Sequence, residues 1–317
     1  MDEFELIRRY FASQSMRRND VRLGIGDDAA ILQVPAGQEL VASVDSLLAG
    51  VHFPTDLPAQ AIGHRALAVN LSDLAAMGAE PAWALLALSL PQADLDWIQE
   101  FAHGFLALAA RYQVALVGGN LARGPLNIAV TVHGFVPTGQ ALTRKGARAG
   151  DQVFVSGWLG DAAAGLRHLQ AHTLATAADS GVQRFCFPEP RIHAGLALRG
   201  IASAAIDISD GLAADLGHLL EASGVGAQLE VGQLPLSASL LQHATREQAI
   251  NLALSGGDDY ELCFSVPRER MILLESRQHE FGCPVTRIGE ITAAKTLQCL
   301  RNDRTEWPLR ATGYQHF

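Results

Sequence analysis

Two glycines and two adjacent carboxylates, Gly24-Ile25-Gly26-Asp27-Asp28, place the tightest demand on how this chain can fold. Like charges side by side repel one another unless something cationic sits close by. The glycines free the backbone to turn sharply or to admit a ligand at short range. Taken alone, such a pair is most often a solvated turn; the alternative is a metal, or a phosphate carried by a metal. Partner carboxylates elsewhere in the chain decide between the two.

Such partners recur. Asp45 ends a strand over 40–45, whose alternation puts Ser43 and Asp45 on one face and Leu40, Ala42 and Val44 on the apolar face. Asp73 shares one face of a helix over 59–77 with Gly63, Ala66, Asn70 and Met77, where its ordinary partner would be Arg65. Asp207 closes an apolar strand in Ala204-Ala205-Ile206-Asp207, and Ser209 and Asp210 follow, Ser209 as a helix N-cap and Asp210 placed well for the helix dipole. Gly256-Gly257-Asp258-Asp259 repeats the opening pattern ahead of a strand over 262–266. Hard divalent cations such as Mg²⁺ bind through a few carboxylates together with phosphate and water oxygens, so the recurrence points to a metal and phosphate site.

Phe4, Ile7 and Phe11 mark an amphipathic helix over 2–13, followed by a short strand over 29–32. An apolar strand over 83–90 leads through Asp94, a capping residue, into a helix over about 95–112. A strand over 114–117 runs into Gly118-Gly119-Asn120, which reads as a turn, and a further strand covers 126–136. The basic run 142–150 reads as a linker at a domain boundary. A strand over 152–156 and an alanine-rich helix ending near 170 follow, with Gly160 near a helix start that could receive an anion. Residues 171–180 read as a loosely ordered excursion.

A net charge of −9 argues against a nucleic-acid partner, and an anionic substrate would need cations to invert the local field. The four cysteines have no CxxC spacing and read as reduced thiols, which with the absence of a hydrophobic leader suggests the cytoplasm. No apolar run is long enough to span a bilayer. There is no GxxxxGK[ST] loop and no kinase HRD or DFG signature, so phosphoryl transfer here would use neither familiar scaffold.

The segments GIGDDAA (24–30), VDS…GVHF (44–53), AVNLSDLAAMGAEPAW (68–83), HGFVPTGQALTRKGARAGD (133–151), AIDISDGLAADLGH (205–218), LSGGDDYELCF (254–264) and the terminal GYQHF carry a resemblance that runs essentially end to end. The chain resembles the bacterial thiamine-monophosphate kinases, of the superfamily that includes aminoimidazole ribonucleotide synthetase and selenophosphate synthetase. The resemblance implies a two-domain α/β (α+β) fold. Residues 1–140 would bind metal and ATP, sharing a sheet across a homodimer, and an α+β domain over 141–317 would close over nucleotide and substrate. It implies Mg²⁺-assisted, in-line transfer of the γ-phosphate of ATP to thiamine monophosphate, the last step in making thiamine diphosphate. The metal positions would be Asp28, Ser43, Val44, Asp45, Asp73, Asn120, Asp207 and Asp210. Nucleotide contacts would be Gly119, Asn120, Arg144 and Ser209, and substrate contacts His52, Asp258 and Tyr314. Of these, Asp28, Asp45, Asp73, Arg144 and Asp210 would carry catalysis.

Asn120 stands where the family pattern has an acid; its carbonyl can still bind Mg²⁺ but brings no charge. That substitution keeps a second reading open, a nucleotide-binding homologue with weakened catalysis. A third is an ATP-dependent enzyme of the superfamily acting on another small phosphate or carboxyl compound.

Overall fold

The structure, a computed structural model, describes residues 2–171, 180–309 and 313. The chain divides into two compact units, Met1–Leu74 with Ala79–Gly139, and Ala75–Gly78 with Gln140–Phe317.

In the first unit, α1 (Glu3–Leu6) passes into a π-helical turn, Ile7–Phe11, and a 3₁₀ turn, Ala12–Gln14, instead of one regular helix. The wider turn shifts the buried stripe to Leu6, Tyr10 and Phe11 and leaves Phe4 exposed. Strands β1 (Val21–Leu23) and β2 (Ile31–Leu32) form a small ribbon. Then come β3 (Gln38–Leu48), α2 (Ala59–Ala76), β4 (Glu80–Leu90), α3 (Leu95–Arg111), β5 (Ala115–Arg123) and β6 (Asn127–Pro137). The sheet order is β3-β6-β4-β5, antiparallel except for the parallel pair β4 and β5, which α3 connects. Asp94 caps α3 by accepting from the N–H groups of Asp96 and Trp97, as its sequence position suggests.

Helices α2 and α3 meet at two glycines. A Cβ on Gly63 would lie 2.0 Å from the Phe101 carbonyl oxygen, and one on Gly104 would lie 2.0 Å from that of Gln60. Gly118, Gly119 and Asn120 lie inside β5 and not in a turn after it. Gly119 has φ +150°, and a Cβ there would fall 1.9 Å from the Leu86 carbonyl oxygen, so glycine is what lets β5 run this close to β4.

The faces of β3 are reversed relative to a simple reading of its alternation. Asn70 and Asp73 of α2 hydrogen-bond on the Ser43 and Asp45 side, while Leu40 and Val44 are 47% and 60% exposed. At one end of this outer face, Trp83 and Phe135 are covered by Val21, Ala30 and Leu32 from the β1–β2 ribbon, and the Trp83 Nε1–H donates to Asp20.

The second unit contains β7 (Gln152–Ser156), α4 (Asp161–Gln170), α5 (Ser180–Cys186), α6 (Ile192–Ala197), β8 (Ala204–Asp207), α7 (Leu212–Ser223), β9 (Gly226–Glu230), α8 (Ala238–His243), α9 (Arg246–Ser255), β10 (Leu262–Val266), α10 (Met271–Arg277), β11 (Val285–Thr292) and β12 (Leu297–Leu300). Its six strands run β12-β9-β11-β7-β10-β8, all antiparallel but for β12 beside β9. Strands β7, β8 and β10 are buried along their whole length and read as unbroken apolar runs with few exceptions. Their core continues into α7 and α9 through Leu212, Leu216, Leu219, Ile250 and Leu254. Most of the excursion expected over 171–180 lies outside the described residues. Among the described residues no helix is long and apolar enough to cross a membrane, and all four cysteines are free thiols.

Candidate active site

In the first unit the edge strand β3 and helix α2 hold the expected metal positions together. Ser43 Oγ donates to Asp73 Oδ2 at 2.5 Å, and the Asp45 N–H donates to Asn70 Oδ1 at 2.9 Å. Asn70 is fully buried and spends its own amide N–H on the Ala66 carbonyl, which fixes which oxygen it presents to β3. Asn70 has a positioning role that the sequence reading missed, although its place three residues before Asp73 on one helix face was a usable signal. Val44 points its side chain to the exposed face, so only its backbone carbonyl is available as a ligand beside Ser43 and Asp45.

Asp28 lies in the exposed turn ahead of β2. Asp27 Oδ1 accepts the Asp28 N–H at 2.8 Å, so Asp27 orders the turn and leaves the Asp28 carboxylate to face outward. His52 follows β3 in a tight loop. Its Nδ1 accepts the Leu48 N–H at 3.0 Å, which puts the ring proton on Nε2 and makes that nitrogen a hydrogen-bond donor.

Asn120 sits elsewhere on the sheet. The register carries a row Asp45–Val130–Leu86–Gly119 and, next to it, a row Ser46–Ala129–Ala87–Asn120. Successive rows face opposite sides of a sheet, and three strand spacings separate β3 from β5, about 14 Å. Within the chain Asn120 therefore stands apart from Ser43, Asp45 and Asp73.

In the second unit the expected positions gather where β8 ends. Asp207 closes the strand and is buried, opposite Leu262 of β10. The loop beyond it runs alongside the loop 257–261, because the Asp258 N–H donates to the Ser209 carbonyl and the Tyr260 N–H to that of Ile208, each at 2.8 Å. This brings Asp207, Ser209, Asp210 and Asp258 into one neighbourhood. Asp258 and Tyr260 have φ of +63° and +50°, left-handed values that non-glycine residues rarely hold, and strain of this kind concentrates at binding sites.

Ser209 is not the N-cap of α7. Gly211 occupies that position with φ +120° and makes no side-chain cap. Asp215 does the work instead: one of its oxygens accepts the N–H groups of Ser209, Asp210 and Gly211, each at 3.0 Å. Burial and the neighbouring Asp210 charge push the Asp215 carboxyl up to about 7, against the pull of those three donors. The Gly160 N–H, expected to receive an anion, is already taken by a side chain of the protein. Both oxygens of Asp259 accept the Gly160 N–H, at 2.9 and 3.0 Å, at the start of α4. Burial, with Glu261, Asp161 and Asp258 close by, drives the Asp259 carboxyl well above its ordinary value.

Beneath these loops, the Glu261 carboxylate is buried and receives Arg191 through Nε and Nη2, as well as the Ser156 hydroxyl. That fork raises the Arg191 pKa above its usual value despite the burial that opposes it. Arg144 is exposed in the basic segment, which is stitched to the edge of β8 by the Ala205 N–H to Thr143 carbonyl bond. Ser223 of α7 adds bonds to the segment through the Arg144 carbonyl and the N–H groups of Gly146 and Ala147. Tyr314 lies outside the described residues.

The donors collected in both units are hard oxygens, which suit Mg²⁺ and not zinc or iron. Among the described residues no three His, Cys, Asp or Glu side chains close up enough to hold a metal alone. A Mg²⁺ ion here would complete its shell with phosphate and water oxygens, its habit at nucleotide sites.

Comparison with known proteins bears on this chemistry. Residues 26–136 match the family described as AIR synthase related protein, N-terminal domain, and residues 148–300 match its C-terminal domain. A thiamine-monophosphate kinase of Escherichia coli is 48% identical over 318 residues, covering 99% of this chain and 98% of that protein. The crystal structure of thiamine-monophosphate kinase from Stenotrophomonas maltophilia superposes with a TM-score of 0.88 at 47% identity, covering 94% of this chain and 96% of that one. A structure of AaThiL complexed with AMPPCP and TMP gives a TM-score of 0.80 at 33% identity over 92% of each chain.

Proposed function

The chain belongs to the thiamine-monophosphate kinase family, and from that premise we propose that it transfers the γ-phosphate of ATP to the phosphate of thiamine monophosphate, giving thiamine diphosphate and ADP. The observation that carries this reading is that close to half of all positions agree with named kinases of this substrate along essentially the whole of both chains.

The acceptor is itself a phosphate, largely ionised near neutral pH because its second pKa is about 6. No side chain need remove a proton from it, which accords with a site built from carboxylates and hydroxyls. The barrier lies in bringing two polyanions together and in the charge spread over the transferring group. Mg²⁺, when bound, would screen that charge and align the phosphates. On this reading Asp28, Ser43, the Val44 carbonyl, Asp45, Asp73, Asp207 and Asp210 hold the metal ions. Gly119, Asn120, Ser209 and Arg144 take the nucleotide, with Arg144 offering its guanidinium to developing phosphate charge. His52, Asp258 and Tyr314 bind thiamine monophosphate, His52 through its Nε2–H. Asn70 and Asp215 position the backbone of the metal-bearing loops without touching substrate.

The same reading makes the protein a cytoplasmic homodimer. Its support is the apolar outer face of β3, uncovered in the single chain, and the separation of Asn120 from Asp45, which a second copy could close. The residues 1–140 would then form the metal-binding and dimerisation half.

Incubating the purified protein with ATP, Mg²⁺ and thiamine monophosphate tests the proposal. Thiamine diphosphate and ADP are expected in equal amounts, with none formed in EDTA. Absence of product from the native chain, with product from Asn120→Asp, would instead favour the weakened homologue; absence from both would point to another acceptor.

A further inference from the structure

We propose that Trp158 is the aromatic platform on which the thiamine rings of the substrate stack. The inference rests on the kinase reading above and names a specificity-determining residue for it.

The loop Gly157-Trp158-Leu159-Gly160 joins β7 to α4 and is held at three of its four positions. The Gly157 N–H donates to the Pro284 carbonyl at 2.8 Å, the Leu159 N–H to that of Pro235 at 3.0 Å, and the Gly160 N–H to the Asp259 carboxylate. Leu159 is fully buried. Gly157 has φ +57°, and a Cβ there would lie 1.9 Å from Glu261 Oε1, so the loop also seats directly on the buried Arg191–Glu261 pair. A backbone tied this firmly leaves one large side chain outside, Trp158, 39% exposed.

The other three tryptophans are all engaged. Trp83 meets Phe135 edge-on at 5.0 Å, Trp97 stacks on Phe101 at 5.2 Å, and Trp307 lies under the Arg301 guanidinium at 4.8 Å. Trp158 alone has no ring partner and no Nε1 hydrogen bond among the described residues. An indole held partly exposed on a rigid loop presents its ring to a ligand with little further loss of conformational freedom.

Its neighbourhood says which ligand. Asp259 fastens this loop to the 257–261 loop, where Asp258, the candidate substrate contact, is the adjacent residue. A π-face on one loop and a carboxylate on the loop bonded to it suit a planar organic cation, and tryptophan binds such cations best of the aromatic side chains. The thiazolium of thiamine monophosphate meets that description in full, whereas the adenine of ATP can stack on an indole but carries no positive charge.

Two variants test the assignment. Trp158→Ala is expected to raise KM for thiamine monophosphate about tenfold, within the range that a desolvated stacking contact is worth, and to leave KM for ATP unchanged. Trp158→Phe should restore most of the loss. Independently of turnover, thiamine monophosphate or thiamine added without ATP should quench the tryptophan fluorescence of the native chain, and Trp158→Phe should abolish that quench. Inorganic phosphate should have no effect. Unchanged KM for thiamine monophosphate in a turning-over Trp158→Ala enzyme, or a quench produced by inorganic phosphate, overturns the platform and leaves the kinase reading intact. A native chain that makes no thiamine diphosphate and shows no quench with thiamine overturns both.

Discussion

Asp73 and Asp215 are both acidic residues of the candidate site, yet they act by different physics. Asp73 accepts from the Ser43 hydroxyl on the side of β3 that also carries Asp45. Asn at that position would keep an acceptor for Ser43 but remove the negative charge that the proposed metal binding needs. Asp73→Asn should therefore lose about 100-fold or more in kcat/KM, the scale of removing one group that stabilises developing charge, while its unfolding midpoint stays close to native. Steady-state assays beside thermal melts check this. Asp215 is tied to the backbone, and its raised pKa makes it a stability determinant. Between its unfolded value of about 4 and its folded value of about 7, the native chain holds a proton that the unfolded chain has released. Its contribution is complete below that window and is lost as pH rises through it. Asp215→Asn, which still offers an oxygen to the three N–H groups, should flatten the stability profile there in metal-free denaturant titrations.

Elements carried by a helical face or an unbroken apolar run were legible from the chain: α2, α3, β4, β7 and β10 fall close to where the sequence puts them. The misses came where tertiary contact overrules local signal. Gly118 and Gly119 look like a turn, but they serve a close approach between β4 and β5. Ser209 looks like a cap, but a carboxylate six residues on takes the role. The alternation of β3 was correctly read, yet which face goes inward depended on where α2 packs, and no residue of β3 reports that. Carboxylate clustering and the family pattern marked Asp45, Asp73, Asp207 and Asp210; Asn70 and Asp215 act through backbone groups and carry no motif of their own. The crossing of α2 and α3 offers a test at this scale. Gly63→Ala would drive a methyl group into the Phe101 carbonyl, with Gly104 packed reciprocally against Gln60, so neither helix can yield without moving the other. A loss of about 1–3 kcal/mol or more is expected from chemical denaturation, the cost of overpacking a tight interior.

At the scale of the whole molecule, the first unit leaves an apolar sheet face uncovered that includes Leu40 and Val44. The homodimer proposed above would bury this face. Light scattering after size exclusion should give twice the chain mass for the native protein and a single chain mass for Leu40→Glu, in which a charge would be buried without a partner. The feature also bears on synthesis. Residues up to Gly139 leave the ribosome before any strand of the six-stranded sheet emerges, and at about 5–20 residues per second the wait for the rest lasts on the order of ten seconds or more. Throughout that interval the nascent first unit presents its bare face to whatever is nearby, and the nearest identical face belongs to the next ribosome on the same messenger. Assembly between neighbouring nascent chains would shelter the face before the second unit exists; sparse translation would leave it to chaperones.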